Sequence, residues 1–330
     1  MTTQYHRRVI RIKATDSPNV ARALEQLARG EEPDGAVVCP GVLTWAEYNA
    51  RRATWDPIRQ CYGLDAEFYV GAELLLFPPQ WLDLSARLGL ELRRRAERRA
   101  RGVGIDPAEG GDRTAFAASD ELGVIEVRSM RTPDTNVIVR EALAFMQKHS
   151  ISPDRVCIDR GGGGKQLADR LRHRGLNVRT VPFGSPPTLE PRRGMQPIGA
   201  RREVIEERAV YASMRAQMYY EFSNLCDPAN ERQLGGTGGR GTTVAGYGIA
   251  PFVPEPGRKD VRGQLACIPR GLGKEGQLKL PPKNRTAGVP KNVKTLVELI
   301  GHSPDEADAV VLSTHAWLHA AITKRKGVVA

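Results

Sequence analysis

Two short segments of this chain end alike: Val103-Gly104-Ile105-Asp106 and Val156-Cys157-Ile158-Asp159. Each alternates in character and closes on an acid, and glycines follow both, in "PAEGG" and "RGGGG". Successive side chains of a strand point to opposite faces. Valine and isoleucine therefore share one face, and a small residue shares the other with the aspartate. Such a chain delivers two carboxylates at the C-terminal ends of two strands, and these become neighbours only if the strands are adjacent in one sheet.

The flanking pattern supplies that sheet. "GVGID", "TAFAASD" and "GVIEVRSM" are joined by short connections, which predicts an antiparallel meander. A helix over 136–149, a fourth strand "RVCID", a helix "GKQLADRLRHRG" stopped by Gly175 and a fifth strand "LNVRTVPF" complete an α/β unit with a mixed sheet. Residues 202–225 read as one long helix. The Gly/Pro/Lys/Arg-rich segment at about 226–295, with short strand candidates such as "GQLACIPRG" and "GQLKLPP", reads as a β-rich insertion. A final helix starts with Ser303 as N-cap and Pro304 at the first helical position. Ahead of all this, residues 1–80 are turn-rich, as in "GEEPDG" and "LLLFPPQWLD", and read as an extended arm or an incomplete domain. "LDLSARLGLELRRRAERRARG" then reads as an Arg-rich helix, with Leu84, Leu88 and Leu92 at four-residue spacing. The expected division is an arm over 1–100 and an α/β domain over 101–330.

The last helix adds further acids. Asp305 and Asp308 are three apart and share a face, in a helix whose Ala307, Ala309, Val310, Val311 and Leu312 leave little polar surface. Carboxylates gathered in a low-dielectric site repel one another unless a divalent cation supplies compensating charge. Oxygen-only donors suit Mg²⁺ or Mn²⁺. The corresponding chemistry is two-metal phosphodiester hydrolysis, with ions about 3.5–4 Å apart flanking the scissile phosphate. Asp112, six residues past Asp106, would be an extra ligand or the holder of a metal-bound water. Two of the acids also have an ordinary reading, a turn or cap for Asp106 and a first-turn dipole partner for Asp305, whereas Asp308, deeper in the apolar stretch, is harder to read that way.

Other features are less specific. The formal net charge of +11 points to a polyanionic partner, nucleic acid before membrane, since no basic amphipathic helix stands out. No apolar run of about 18 residues and no signal-like N-terminus is found, so the chain reads as cytoplasmic. Five scattered cysteines form no C-x-x-C pair. "DRGGGGKQ" fails the phosphate-loop pattern twice, at Asp159 and Gln166. His315 and His319 are four apart but lack the Glu of H-E-x-x-H, and His302 reads as a cap or surface residue. Residues 87–101 hold seven arginines against two glutamates, a pattern common on solvated faces; in a nucleic-acid-binding reading the arginines over 93–101 and 192–202 and the lysines over 279–294 would track the phosphates.

Taken in order, "GIDPAEGGDRTAFA", "VCIDRGGGGKQLADRLRHRGLNVRTVPFG", "RAQMYYEF", "GQLKLPPK" and "IGHSPDEADAVVLS" resemble the successive motifs of a known family over about residues 101–320. The family is the C-terminal nuclease domain of the large terminase subunit, which packages DNA in tailed bacteriophages. "HSPDEADA" and "IDRGGGGK" are the specific segments, and residues 9–82 resemble the stretch joining motor to nuclease in these proteins. The resemblance implies a ribonuclease H-like fold, a mixed five-stranded sheet flanked by helices. It implies a metal-dependent endonuclease that cuts concatemeric viral DNA and works through two Mg²⁺ or Mn²⁺ ions. Asp106, Asp159 and the Asp305/Asp308 pair match the family's acidic cluster, and Asp112 its accessory acid. Family members differ in which of the last two positions binds metal, so both stay in the expected set, with Asp106, Asp159 and Asp308 as the catalytic acids.

Double-stranded DNA is the implied substrate, and the portal protein, the small terminase subunit and a separate packaging ATPase are the implied partners. The Walker motifs of terminase motors are absent from these 330 residues, so ATP hydrolysis is not expected. Two rival expectations share the residues. One is a Holliday-junction resolvase or RNase H-type nuclease of the same fold, the other a non-catalytic module that docks DNA or a portal.

Overall fold

The computed structural model describes residues 11–55, 60, 63–66, 75–94, 98–188, 190–193, 205–208, 210–234, 242–273, 276–291 and 293–320. The chain forms two compact units, Met1–Leu74 and Leu75–Ala330.

The first unit contains helices α1 (Pro18–Ala28) and α2 (Trp45–Thr54) where the turn-rich sequence reads as extended. A capping box starts α2: the Thr44 hydroxyl accepts from the Glu47 amide at 3.2 Å, and the Glu47 carboxylate accepts from the Thr44 amide at 3.0 Å. Asn19 is buried on α1 and ties the following loop back, accepting from the Cys39 amide at 2.9 Å and donating to the Cys39 carbonyl at 3.0 Å.

The second unit starts with α3 (Pro79–Arg93) and then builds the sheet from β1 (Gly102–Asp106), β2 (Thr114–Ser119) and β3 (Val124–Met130). Helix α4 (Thr135–Lys148), strand β4 (Val156–Asp159), helix α5 (Gly164–His173) and strand β5 (Arg179–Val181) follow. The strand order is β3-β2-β1-β4-β5, with β1, β2 and β3 antiparallel and β4 and β5 parallel to β1. This is the mixed five-stranded sheet expected from the meander and the two helical crossovers.

The remaining elements are the hairpin β6 (Glu190–Arg193) and β7 (Ile205–Arg208), helix α6 (Met214–Cys226), the hairpin β8 (Arg232–Leu234) and β9 (Thr242–Val244), and the short helix α7 (Val261–Leu265). They end with the hairpin β10 (Gly271–Leu272) and β11 (Leu278–Lys279), the short helix α8 (Leu296–Ile300) and helix α9 (Asp305–Leu318).

Three elements differ from the sequence reading. The long helix over 202–225 is instead a strand, β7, followed by a helix that begins only at Met214. Residues 210–212 are held by backbone bonds with Leu278, and Ser213 then caps the helix by accepting from the Ala216 amide at 3.2 Å. Only the first three residues of "GQLACIPRG" are helical, at the end of α7, where Asp260 is the N-cap and accepts from the Gly263 amide at 2.8 Å; Gly271 alone belongs to a strand, β10. In α9 the cap is Pro304, one residue later than Ser303, because the Pro304 carbonyl takes the first helical bond, from the Asp308 amide at 2.8 Å.

Both sheet faces are covered. Val103, Ile105, Phe116, Val156 and Ile158 pack against Ile138, Phe145, Leu167 and Leu171 from α4 and α5. The opposite face, carrying Ala115, Ala117, Cys157 and Val181, is covered by α9 through Ala309, Val310 and Leu312 and by α6 through Tyr219 and Phe222. Helix α9 lies directly on β1 because the strand is glycine there. A Cβ on Gly104 would sit 2.1 Å from the Ala309 carbonyl oxygen, and one on Gly102 would sit 2.2 Å from that of Ser313. Among the described residues, no helix is long and apolar enough to cross a membrane.

Candidate active site

Strands β1 and β4 are neighbours and parallel, with Gly104 opposite Cys157 and Ile105 opposite Ile158. The next step in each strand is an aspartate, so Asp106 and Asp159 emerge side by side, on the face that α9 covers. The glycines after β4 let the chain fold around its own acid: a Cβ on Gly164 would lie 1.7 Å from the Asp159 carbonyl oxygen, and Gly162 and Gly163 take positive φ. The "RGGGG" run is thus the turn from strand into α5.

Asp106, Asp112, Asp159 and Asp305 line one cleft of about 370 Å³ together with Glu109, Arg113, Lys283 and Asn284. Asp106 is 5% exposed and Asp159 9%, whereas Asp112 is open to solvent at the rim. Burial pushes the Asp106 carboxyl well above the ordinary range; the Lys283 ammonium pulls it back, and Asp308, Asp159 and Asp305 push it further up. Burial also raises Asp159, against the backbone amide of Gly161, and Asp305, against Lys283 and the backbone amide of Arg113.

Asp308 is different in kind. It is fully buried and absent from the cleft lining. Its Oδ1 accepts from Arg215 Nη2 at 2.7 Å and from the Tyr219 hydroxyl at 2.7 Å, and its Oδ2 accepts from Arg215 at 2.9 Å and Lys283 Nζ at 3.0 Å. Burial opposes its ionisation, but Arg215 and Lys283 outweigh that and hold its carboxyl below the ordinary range. Its lone pairs are therefore spent within the protein.

Lys283 links the two environments, with Nζ 3.0 Å from Asp308 Oδ2 and 3.7 Å from Asp106 Oδ2. Burial disfavours its charge, yet Asp308 and Asp106 raise its pKa overall. Sequence reading placed Lys283 only within a lysine-rich stretch over 279–294 for tracking phosphates; the folded chain turns it into the acids. It missed Glu306 as well. This buried carboxylate accepts from Ser129 Oγ at 2.7 Å and Gln264 Nε2 at 2.7 Å. Asp305 is held by the Arg113 amide at 3.2 Å and Arg258 Nη2 at 3.1 Å. His302 Nε2 accepts from the Lys259 amide at 2.9 Å, a bond between two loops rather than a helix cap.

The proposed phosphate-facing arginines are partly committed elsewhere. Arg98 makes a two-pronged ion pair with buried Asp120, and Arg101 pairs with Glu121 at 3.0 Å. The side chains over 192–202 lie outside the described residues.

The donor chemistry of the cleft fits a hard divalent cation: its ligand-type side chains are carboxylates, and burial with neighbouring negative charge keeps Asp106, Asp159 and Asp305 reluctant to ionise without added positive charge. The set is spread out. Among the described residues, no three acids bring their oxygens within 4.8 Å of one another, so the arrangement suits ligands shared between separate positions better than one closed cage.

Fold and site together define an α/β domain whose mixed five-stranded sheet, ordered β3-β2-β1-β4-β5, carries an acidic cleft at the C-terminal ends of its two central parallel strands. No protein-family profile and no curated protein matches the sequence. Among solved structures, the chain is similar to the nuclease domain of the large terminase subunit gp2 of bacterial virus Sf6, at 17% identity and TM-score 0.47, covering 73% of this chain and 98% of that one. A K428A mutant of that domain, solved with manganese and beta-thujaplicinol, gives the same identity, score and coverage. The large terminase nuclease of thermophilic phage G20c with bound magnesium matches at 13% identity and TM-score 0.40, covering 74% of this chain and 97% of that one. At these levels the likeness is one of chain path and transfers no residue role.

Proposed function

We propose that the chain is a metal-dependent DNA endonuclease of a phage packaging terminase. The observation that carries this reading is the convergence of Asp106 and Asp159, from adjacent parallel strands, with Asp305, from the last helix, on one cleft. The basic balance of the chain, +11, supports a polyanionic substrate.

In this reading Asp106, Asp159 and Asp305 hold Mg²⁺ or Mn²⁺, with Asp112 at the rim as accessory. Bound there, two ions would supply Lewis-acid stabilisation of the phosphodiester and an activated water. The protein's own part is positional. Asp106 stands at the boundary between cleft and core, and Lys283 balances it in the free protein. Asp308 anchors Arg215, Tyr219 and Lys283 behind the cleft and so fixes the angle at which α9 presents Asp305. Its role is therefore proposed as orientation, a revision of its expected place among the metal-binding catalytic acids.

The test is cleavage of supercoiled plasmid with Mn²⁺, alongside a four-way junction and an RNA:DNA hybrid. Plasmid cutting that is abolished by Asp159→Asn is expected. Undiminished cutting by that variant would remove the site, and a strong preference for junction or hybrid would transfer the reading to a resolvase or RNase H-type enzyme.

A further inference from the structure

A second group of ligand-type side chains lies on the same two helices that embrace Asp308. Helix α6 carries Glu221 two residues beyond Tyr219, and α9 ends in His315 and its C-cap residue His319. His319 Nε2 lies 2.9 Å from Glu221 Oε2, and His315 Nδ1 lies 3.8 Å from the same oxygen. The two imidazole rings are tilted by 34° to one another, their centroids 4.4 Å apart. Among the described residues this is the only trio of His, Cys, Asp or Glu whose ligand atoms all fall within 4.8 Å of one another.

A carboxylate can bind a histidine without any metal, and the His319–Glu221 contact alone is such a pair. His315 is what that reading leaves over. Its side chain is 6% exposed, and its Nδ1 is buried with no hydrogen bond, although it faces the oxygen at 3.8 Å. A buried ring nitrogen left this way costs free energy that a ligand would recover. The carboxylate is also oriented from behind, since Glu221 Oε1 accepts from Gln217 Nε2 at 2.8 Å, as the outer partners of metal ligands do.

We infer that Glu221, His315 and His319 form a binding site for a zinc-class ion, separate from the acidic cleft. Bonds of about 2.1 Å at tetrahedral angles require ligand atoms roughly 3.4 Å apart, which brackets well with the spacing here. Two imidazoles and one carboxylate favour Zn²⁺ or Co²⁺ over Mg²⁺. His319, whose side chain is 35% exposed, leaves the fourth position to water. The ion ties the C-terminal end of α9 to the middle of α6, and the same two helices also meet nearer their starts through Arg215, Tyr219 and Asp308.

The full chain is titrated with Co²⁺ in a large excess of Mg²⁺, so that the oxygen-only cleft does not report. One equivalent is expected to bind with visible ligand-field absorption, to be displaced by Zn²⁺, and to persist in Asp159→Asn. His319→Ala and Glu221→Gln should each weaken binding by about 100-fold. His319 is exposed enough for this variant to fold, which its circular dichroism checks. Zn²⁺ should raise the melting temperature of the wild type and not of His319→Ala. Absence of the cobalt signal from the wild type, or an equal signal in folded His319→Ala, would overturn the site.

Discussion

Lys283 donates to Asp308 across 3.0 Å while its ammonium also stands 3.7 Å from Asp106. One cation thus serves an acid whose lone pairs are already full and another that is short of positive charge. In the proposed enzyme, Lys283 and a divalent ion compete for the charge on Asp106. Lys283→Ala is expected to tighten Mn²⁺ binding about 10-fold, which corresponds to about 1.4 kcal/mol. Without metal it should cost on the order of 1–3 kcal/mol, because a buried carboxylate loses a partner. Isothermal titration and urea unfolding check the two halves.

The two aspartate variants should separate stability from chemistry. Asp308→Asn leaves the Arg215 guanidinium buried without its counter-ion, and a loss of about 3–5 kcal/mol is expected. Asp159→Asn removes one member of a repelling group, so the metal-free protein should keep or gain stability while plasmid cleavage disappears. Equal destabilisation by both variants in denaturant melts would contradict the division of roles drawn here.

Asp106 also predicts a pH dependence. Its folded pKa lies above its unfolded value of about 3.9. The folded state therefore binds the proton more tightly, and its contribution to stability is greatest in acid and is lost as pH rises from the ordinary carboxylate range through the raised value. Asp308 has the opposite sign: its depressed pKa stabilises the fold above the unfolded value, and this is lost as pH falls through the depressed one. In a chelator, the stability of wild type minus Asp106→Asn is expected to fall as pH rises from about 4 through the raised pKa of Asp106. Metal affinity should rise over the same range because ligands must deprotonate. A flat difference would mean that Asp106 ionises as it would in water.

Gly104 tests the seating of α9. Gly104→Ala puts a methyl group 2.1 Å from the Ala309 carbonyl oxygen, a backbone atom that cannot swing aside. The helix must lift, at a cost of about 3 kcal/mol or more. Cleavage should fall with it, since Asp305 and Asp308 travel on that helix. Wild-type melting temperature and activity in this variant would disprove the close packing.

What could be read from the chain was local and periodic. The repeated Val-x-Ile-Asp pattern determined, through the two-residue period of a strand, that both acids end on the face opposite the aliphatic pairs, and the short connections determined the meander. The apolar run around Asp308 determined that α9 is buried. Tertiary structure alone decided what each acid touches. Arg215 and Lys283 lie 93 and 25 residues from Asp308 in sequence, and nothing in either segment marks them as partners. The same holds for Ser213, whose capping of α6 prevails over a helical pattern upstream because residues 210–212 find backbone partners at Leu278. Periodicity is a property of neighbours along the chain. Charge compensation of a buried carboxylate depends on whichever cations the fold brings within a few ångströms, and it sets Asp308 apart from Asp106 although both were read as equivalent acids.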